Sequence, residues 1–452
     1  DHITYFSPDR TCNIKIKIML PQEKNFIGKK ILIYGLGISG KSCFKYLFKN
    51  NQVTVYDDNP SLKKNKNIIF FLNKNEIIKK KFDYIVLSPG IDIKKCKLKN
   101  FLLKNREKII TELDIFYLNF PKNIKITITG TNGKSTTCKM LFNIFKTNKF
   151  DVRLVGNIGN PPLLEKKINK KTIFIVEASS YQIFYSKYFI TDHAAILNLS
   201  LNHLERHGSI KNYANAKLKL ILNQNKKNYS YIESNNSIIN KIISKKNIKS
   251  KINKLKFNKK NFFIKKINNK HILDNNNLNN IHFIYSICKK FKFSDISIFK
   301  TLNRFSGLPF RKQIIYNNAN FMVINDSKST SFSSTVGLLS NYKNIYWIVG
   351  GLFKKGDKFK LESKHFKNIK AYIFGHNKKF FVNQFRNKFK FKYFKNLKNV
   401  IFEIKKEIKK DLNKKTILFS PASASFDQFK NFEERGLYFN RVIKSIILNK
   451  QG

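Results

Sequence analysis

Residues 124–137 read IKITITGTNGKSTT, and the fold of the chain follows from how they are read. IKITIT is a strand, GTNG a glycine-rich turn, and the residues after Lys134 open a helix. The ending Gly-Lys-Ser is that of a phosphate-binding loop, yet the usual G-x-x-x-x-G-K-[ST] would need a glycine where Ile128 stands. The first glycine, Gly130, comes only three residues before Gly133. Backbone N–H groups of Gly130, Thr131, Asn132 and Gly133, the Lys134 ammonium and the helix N-terminus would surround one set of phosphates. The Ser135 hydroxyl, beside Thr136, would ligate Mg²⁺. The alternative is a purely structural glycine turn with a chance Lys-Ser.

Working outward, KILIYG (30–35), QVTVYDD (52–58) and DYIVLSPG (83–90) read as strands with a helix after the first. This βαβ alternation predicts a parallel sheet with crossover helices. A second alternation runs from residue 124 through TIFIVEASS (172–180) and HAAILNLS (193–200). The Lys/Asn-rich stretch 221–275, with runs such as FFIKKI, reads as peripheral strands and turns. A third set follows SGLPFR (306–311), with strands at FMVIND, IYWIVGG, AYIFG and TILFSPASAS. The result is α/β throughout, in three units with junctions near 112 and 308.

Gly35-Leu-Gly-Ile-Ser-Gly40 is a G-x-G-x-x-G between strand and helix, with Asp57 at the end of the next strand. Its glycines would let a diphosphate approach the backbone; a structural turn is the alternative. Taken alone it suggests NAD, but a second nucleotide-type loop counts against a simple dehydrogenase. Glu177 ends the strand TIFIVE and is either a second Mg²⁺ ligand or a helix-capping acid. NHLERHG (202–208) places His203 and His207 just after a strand, where an imidazole could bind metal or merely face solvent. Lys217, in YANAKLKL, reads only as a solvated helix position. NDSKSTS (325–331), GGLFKKGD (350–357) and SPASASFDQFKNFEERG (420–436) put polar and small residues at the ends of strands in the third unit.

The formal charge is +60, and lysines are mixed with Asn, Ile, Phe and Tyr from end to end. A nucleic-acid face would cluster its cations. An AT-rich genome accounts for the lysines and the 43 Phe together, so no specific nucleic-acid partner is expected. The five cysteines are scattered, without metal-ligand spacing, which fits reduced thiols in a cytoplasm. No window approaches the ~18 apolar residues of a membrane span. The first Met is Met19, so residues 1–18 are expected to be an unstructured or non-native extension.

The order of GTNGKST, NIG, EASSYQ, NHLERHG, YANAK, LPFR, NDSKST and SPASASFDQFKNFEERG resembles the Mur ligases, and the last motif resembles their D-glutamate-adding branch. The resemblance implies three domains: a Rossmann-like UDP-substrate domain (19–112), a central P-loop-type ATPase domain (113–308) and a Rossmann-like C-terminal domain (309–452) that takes the amino acid. It implies a monomeric cytoplasmic ligase joining D-glutamate to UDP-N-acetylmuramoyl-L-alanine through an acyl phosphate. Ile38, Ser39, Asp57, Asp58, Ser88 and Gly90 would hold the uridine diphosphate end, and Asn157 the muramoyl part. Gly133, Lys134, Ser135 and Thr136 would hold the ATP phosphates, with Asn277, Asn280, Arg311 and Asp326 around adenine and ribose. Ser135 and Glu177 would bind one Mg²⁺, and His203 with a carbamylated Lys217 a second. Lys328, Thr330, Lys354, Ser425 and Phe432 would form the D-glutamate side, with Lys134, His203, Lys217 and Lys328 catalytic.

The chain departs from the family pattern at Asn202 and Glu205, where aspartates are usual, and at Phe310 for His, Lys355 for Gly and Ser423 for Cys. The rivals are a sister amino-acid ligase, of another Mur type or of the folylpolyglutamate type, and, in another class, a basic nucleic-acid-binding ATPase. The SFDQFKNFEERG tail and the scattered lysines speak against them.

Overall fold

The computed structural model describes residues 26–59, 72–199, 204–258, 260–269, 272, 275–353, 356–408 and 413–448. The expectation for residues 1–18 lies outside these, as do His203, Asn202, Lys354 and Lys355. The chain forms two compact units, one ending at Phe305 and the other starting at Ser306.

The first unit carries two parallel sheets. In the first, β1 (Lys30–Tyr34) lies between β2 (Gln52–Tyr56) and β3 (Tyr84–Leu87), with β4 (Ile109–Ile110) beyond β3. The second is built from β5 (Lys125–Thr129), β6 (Val152–Gly156), β7 (Ile173–Glu177), β8 (His193–Ile196), β9 (Tyr229–Glu233) and β10 (Lys251–Leu255). Its order is β10-β9-β8-β5-β7-β6. β5, buried along its whole length, has β8 on one side and β7 on the other. Its carboxyl end therefore opens at a switch in strand order, where open α/β sheets take ligands.

The two sheets share one core. The helix Glu112–Asn119 presents Phe116 edge-on to Phe174 of β7, with ring centroids 4.8 Å apart. Asp114 on that helix is fully buried, and its Oδ1 accepts from the backbone N–H groups of Lys187, Tyr188 and Phe189 and from Ser186 Oγ. A buried carboxylate is tolerated here because donors surround it.

The second unit carries β11 (Gln313–Asn317), β12 (Phe321–Asn325), β13 (Ile345–Gly350), β14 (Ile369–Phe374), β15 (Lys390–Phe394) and β16 (Lys415–Phe419) in the order β11-β12-β16-β13-β14-β15. All pairs are parallel except β11 with β12. Among the described residues no helix is long and apolar enough to cross a membrane.

Two expectations are corrected. FFIKKI is not strand: Phe262–Lys265 is a short helix, because Phe263, Ile264 and Ile267 are buried at helical spacing. Lys217 is not solvated. It sits on the buried face of the helix Ile210–Leu222 and is 1% exposed.

Candidate functional site

The turn after β5 is held by its neighbours on β8's side. Asn198 accepts on Oδ1 from Thr131 N (3.1 Å) and Asn132 N (2.8 Å), and its backbone O accepts from Thr131 N (3.0 Å). Gly133 begins the helix Lys134–Thr147 at φ +81°, a left-handed conformation that an L side chain rarely adopts. A Cβ there would also overlap the amide of Asn280, which is 1% exposed and whose Nδ2 has no acceptor among the described residues. Asn280 thus lies against the loop; Asn277 is on the same helix, Asn275–Lys290, and its side chain is outside the described set. Lys134 Nζ donates back to Gly130 O (3.0 Å) and Thr131 O (2.8 Å), and Ser135 and Thr136 are buried beneath it.

Lys217 reaches the same loop from below. Its Nζ donates to Gly130 O (2.9 Å) and Thr129 Oγ1 (3.2 Å) and lies 4.6 Å from the Tyr213 ring centroid. Burial holds this amine well below the usual lysine range; nearby Lys134 pushes the same way, while Glu177 pulls back. Glu177, at the end of β7, is 1% exposed. Its Oε1 accepts from Asn157 Nδ2 (3.0 Å), whereas Oε2 is buried with no partner among the described residues. An orphaned carboxylate oxygen at the end of β7, in register with Ile128 just before the glycine loop, fits a cation site. Among the described residues no three His, Cys, Asp or Glu side chains cluster as metal ligands; the candidate set is Ser135, Glu177 and Lys217, with His203 outside the described set. His207 is buried, its Nε2 3.1 Å from Ser180 Oγ and its ring against Tyr181. That is a core position.

The proposed uridine-diphosphate residues gather at the carboxyl ends of β1, β2 and β3. Asp57 Oδ2 accepts from Leu36 N (2.7 Å), latching the glycine turn. Asp58 Oδ2 accepts from Tyr34 Oη (2.8 Å), and Ser88 Oγ donates to Gly35 O (2.6 Å). Ile38 is 78% exposed at the start of the helix Ile38–Leu47, and Ser39 follows it. Arg206, which the sequence reading gave no role, donates to Pro89 O (3.4 Å), Gly90 O (3.3 Å) and Ile91 O, and its guanidinium lies 5.2 Å from the Tyr181 ring. It ties this turn to the segment after β8. Asn157 is not with this group; it contacts Glu177.

In the second unit, Asp326 follows β12. Its Oδ2 accepts from Ser420 Oγ (2.7 Å) and its Oδ1 from Lys312 N (3.0 Å). Burial pushes its carboxyl up to about 6 despite those donors. Lys328 Nζ lies 4.7 Å from the Phe432 ring centroid, so NDSKST and the last motif meet. Ser425 is buried there and Thr330 exposed, while Arg311 is half-buried. Phe310, in place of the usual His, packs its ring over Gly436, where a Cβ would overlap it. Ser423, in place of Cys, donates to Gly350 O (2.6 Å).

Sequence reasoning missed the burial of Lys217 and the roles of Arg206 and Arg435. The signal for the first was available: Tyr213, Lys217 and Ile221 share one helical stripe, and the other two are apolar.

The pattern of the Mur ligase middle domain matches residues 128–299, and that of the Mur ligase MurD-like N-terminal domain matches residues 29–110. The chain is 32% identical to the UDP-N-acetylmuramoylalanine–D-glutamate ligase of Rickettsia bellii, over 93% of this chain and 98% of that one. It is 34% identical to the protein of the same name from Buchnera aphidicola subsp. Acyrthosiphon pisum, over 93% and 99%. Among solved structures, UDP-N-acetylmuramate–alanine ligase from Thermotoga maritima aligns with a TM-score of 0.55 at 16% identity, covering 92% of this chain and 99% of that one. MurF ligase from the same organism, in complex with ADP, aligns with a TM-score of 0.54 at 13% identity, covering 96% and 98%. The solved structures speak to the fold, and the full-length identities to descent: the chain belongs to the Mur ligase family, alongside its UDP-N-acetylmuramoylalanine–D-glutamate ligases.

Proposed function

We propose that this chain joins D-glutamate to the L-alanine carboxylate of UDP-N-acetylmuramoyl-L-alanine at the expense of ATP, in peptidoglycan precursor synthesis. The observation that carries the reading is the convergence of Lys134, Ser135, Glu177 and Lys217 on one glycine loop at the end of β5. Phosphoryl transfer asks a protein for alignment and charge neutralisation rather than a nucleophile, and this is a site of that kind.

ATP phosphates would lie along Gly130–Thr136, with Asn277 and Asn280 toward the base and Arg311 and Asp326 serving the same nucleotide. Bound Mg²⁺ would neutralise phosphate charge in transfer to the substrate carboxylate, whose acyl phosphate the D-glutamate amine then attacks. Ser135 and Glu177 would hold one ion, and His203 with a carbamylated Lys217 a second. Lys217 supports that role through its chemistry. An amine whose burial favours the unprotonated form is a nucleophile, and it adds CO₂ to give a carbamate with release of one proton. That puts an anionic oxygen ligand where an ordinary lysine would carry an ammonium. The turn bearing Ile38, Ser39, Asp57, Asp58, Ser88 and Gly90 would take the uridine diphosphate. Thr330, Lys354, Ser425 and Phe432, with Lys328, would take D-glutamate. The segments 19–112, 113–308 and 309–452 would serve as UDP-substrate, ATP and amino-acid domains of a cytoplasmic monomer.

The test is phosphate release from ATP with UDP-N-acetylmuramoyl-L-alanine and D-glutamate, L-glutamate or L-lysine. Release is expected with D-glutamate; equal release with L-lysine would favour a sister ligase.

A further inference from the structure

Arg435, in the first turn of the helix Phe432–Ile446, is wholly buried and ties together three strand ends. Its Nε donates to Ser327 Oγ (3.1 Å), and its Nη2 to Ser327 O (2.7 Å) and Ser423 O (3.0 Å). Ser327 Oγ in turn donates to Phe432 O (2.8 Å), and Ser327 N to Asn325 Oδ1 (3.1 Å). Asn325 Nδ2 donates to Gly436 O (3.0 Å) and Asn440 Oδ1 (2.7 Å). Through Ser423 and Gly350 the network reaches the end of β13 as well as those of β12 and β16.

The remaining donor, Nη1, has no acceptor among the described residues. It faces Gly351, where φ is +126° and a Cβ would stand 3.2 Å from it. Asp427 Oδ2, also buried without a partner, would stand 2.9 Å from a Cβ on Gly375. Burying a guanidinium is costly unless its fork is used. Here Nη2 holds two backbone carbonyls while Nε holds the Ser327 hydroxyl, three acceptors met from one rigid plane, a geometry that a lysine ammonium on its flexible stem does not reproduce.

We infer that Arg435, acting with Ser327, is a positioning residue: it fixes the spacing between the loop carrying Lys328 and Thr330 and the segment carrying Ser425 and Phe432, and so sets the affinity for the incoming amino acid. This rests on the reading above, in which those residues meet D-glutamate. Arg435 itself touches no substrate, being closed off from solvent.

The experiment is steady-state kinetics of the full chain, varying D-glutamate, ATP and UDP-N-acetylmuramoyl-L-alanine in turn. Ser327→Ala removes the hydroxyl between Arg435 and Phe432. It should raise KM for D-glutamate about tenfold and leave the other two KM values near wild type, while the melting temperature falls by a few degrees because Nε of the buried guanidinium loses its acceptor. Arg435→Lys keeps the charge and loses the fork; its kcat/KM for D-glutamate should fall by about a hundredfold. If Arg435→Lys does not fold, Ser327→Ala decides. A D-glutamate KM within about twofold of wild type, or a parallel rise in all three KM values, overturns the inference. Wild-type protein that ignores D-glutamate overturns the functional reading, and this inference with it.

Discussion

Lys217 in the first compact unit and Arg435 in the second both lie at strand ends with almost no exposure, and they are buried differently. Lys217 lies under the glycine loop with neutral acceptors, Gly130 O and Thr129 Oγ1, and with a second cation, Lys134, nearby. Arg435 lies among backbone carbonyls with two carboxylates, Asp427 and Asp326, in its field. Burial lowers its pKa only to about 10, so it stays charged at neutral pH. Where burial and a neighbouring cation outweigh one carboxylate, Glu177, the uncharged amine is favoured and offers a lone pair; where two carboxylates offset burial, the cation keeps its charge and becomes a clamp. The first suits chemistry and the second architecture.

The largest effect should come from exchanging these roles. Lys217→Ala should lower turnover by about a thousandfold while leaving UDP-substrate binding intact by calorimetry, and acetate should partly restore it by supplying a metal-binding anion. Lys217→Arg should be equally inactive, since guanidinium takes up no CO₂. An Arg variant with near-normal turnover would erase the contrast.

Glu177→Gln sharpens it. Losing the carboxylate should cost turnover about a hundredfold. Without ligands the melting temperature should hold or rise, because the orphaned oxygen of a buried anion is replaced by a neutral group. A large fall in melting temperature would make Glu177 a structural acid.

These residues were not equally legible. The loop 130–136 could be read directly, because a phosphate site needs glycines, a lysine and a helix start at fixed spacing. The parallel sheets followed from alternating apolar runs. Lys217 was hidden among 88 lysines and arginines, and only its place on the 213–217–221 stripe marked it as buried. Arg435 likewise shares a stripe with Phe439 and Ile443, both buried. What no periodicity carries is which carbonyls meet a side chain across strands far apart in sequence, so Arg206 and the Ser327–Arg435–Ser423 link needed the fold. FFIKKI failed for a different reason: a short apolar run fits strand and helix alike.

Asp326 gives a smaller, pH-dependent effect. Its folded pKa, about 6, stands above the unfolded carboxylate value of 3.8. The associated stability is therefore fully present below about 4 and lost as pH rises through about 6, up to about 3 kcal/mol. Urea unfolding across that window should show the slope in wild type and not in Asp326→Asn. An unchanged slope would place the titration elsewhere.

The smallest effect concerns the cations that are not buried. DNA should bind weakly, without sequence preference and with a steep loss in salt, measured by fluorescence anisotropy. A tight, sequence-selective complex at physiological salt would mean that the surface lysines are a functional face.

The most direct test of the contrast is carbon NMR of the full chain in ¹³C-bicarbonate. The buried Lys217 amine should give a carbamate resonance in wild type that is missing from Lys217→Ala. No such resonance in wild type, together with turnover indifferent to bicarbonate, would contradict the account.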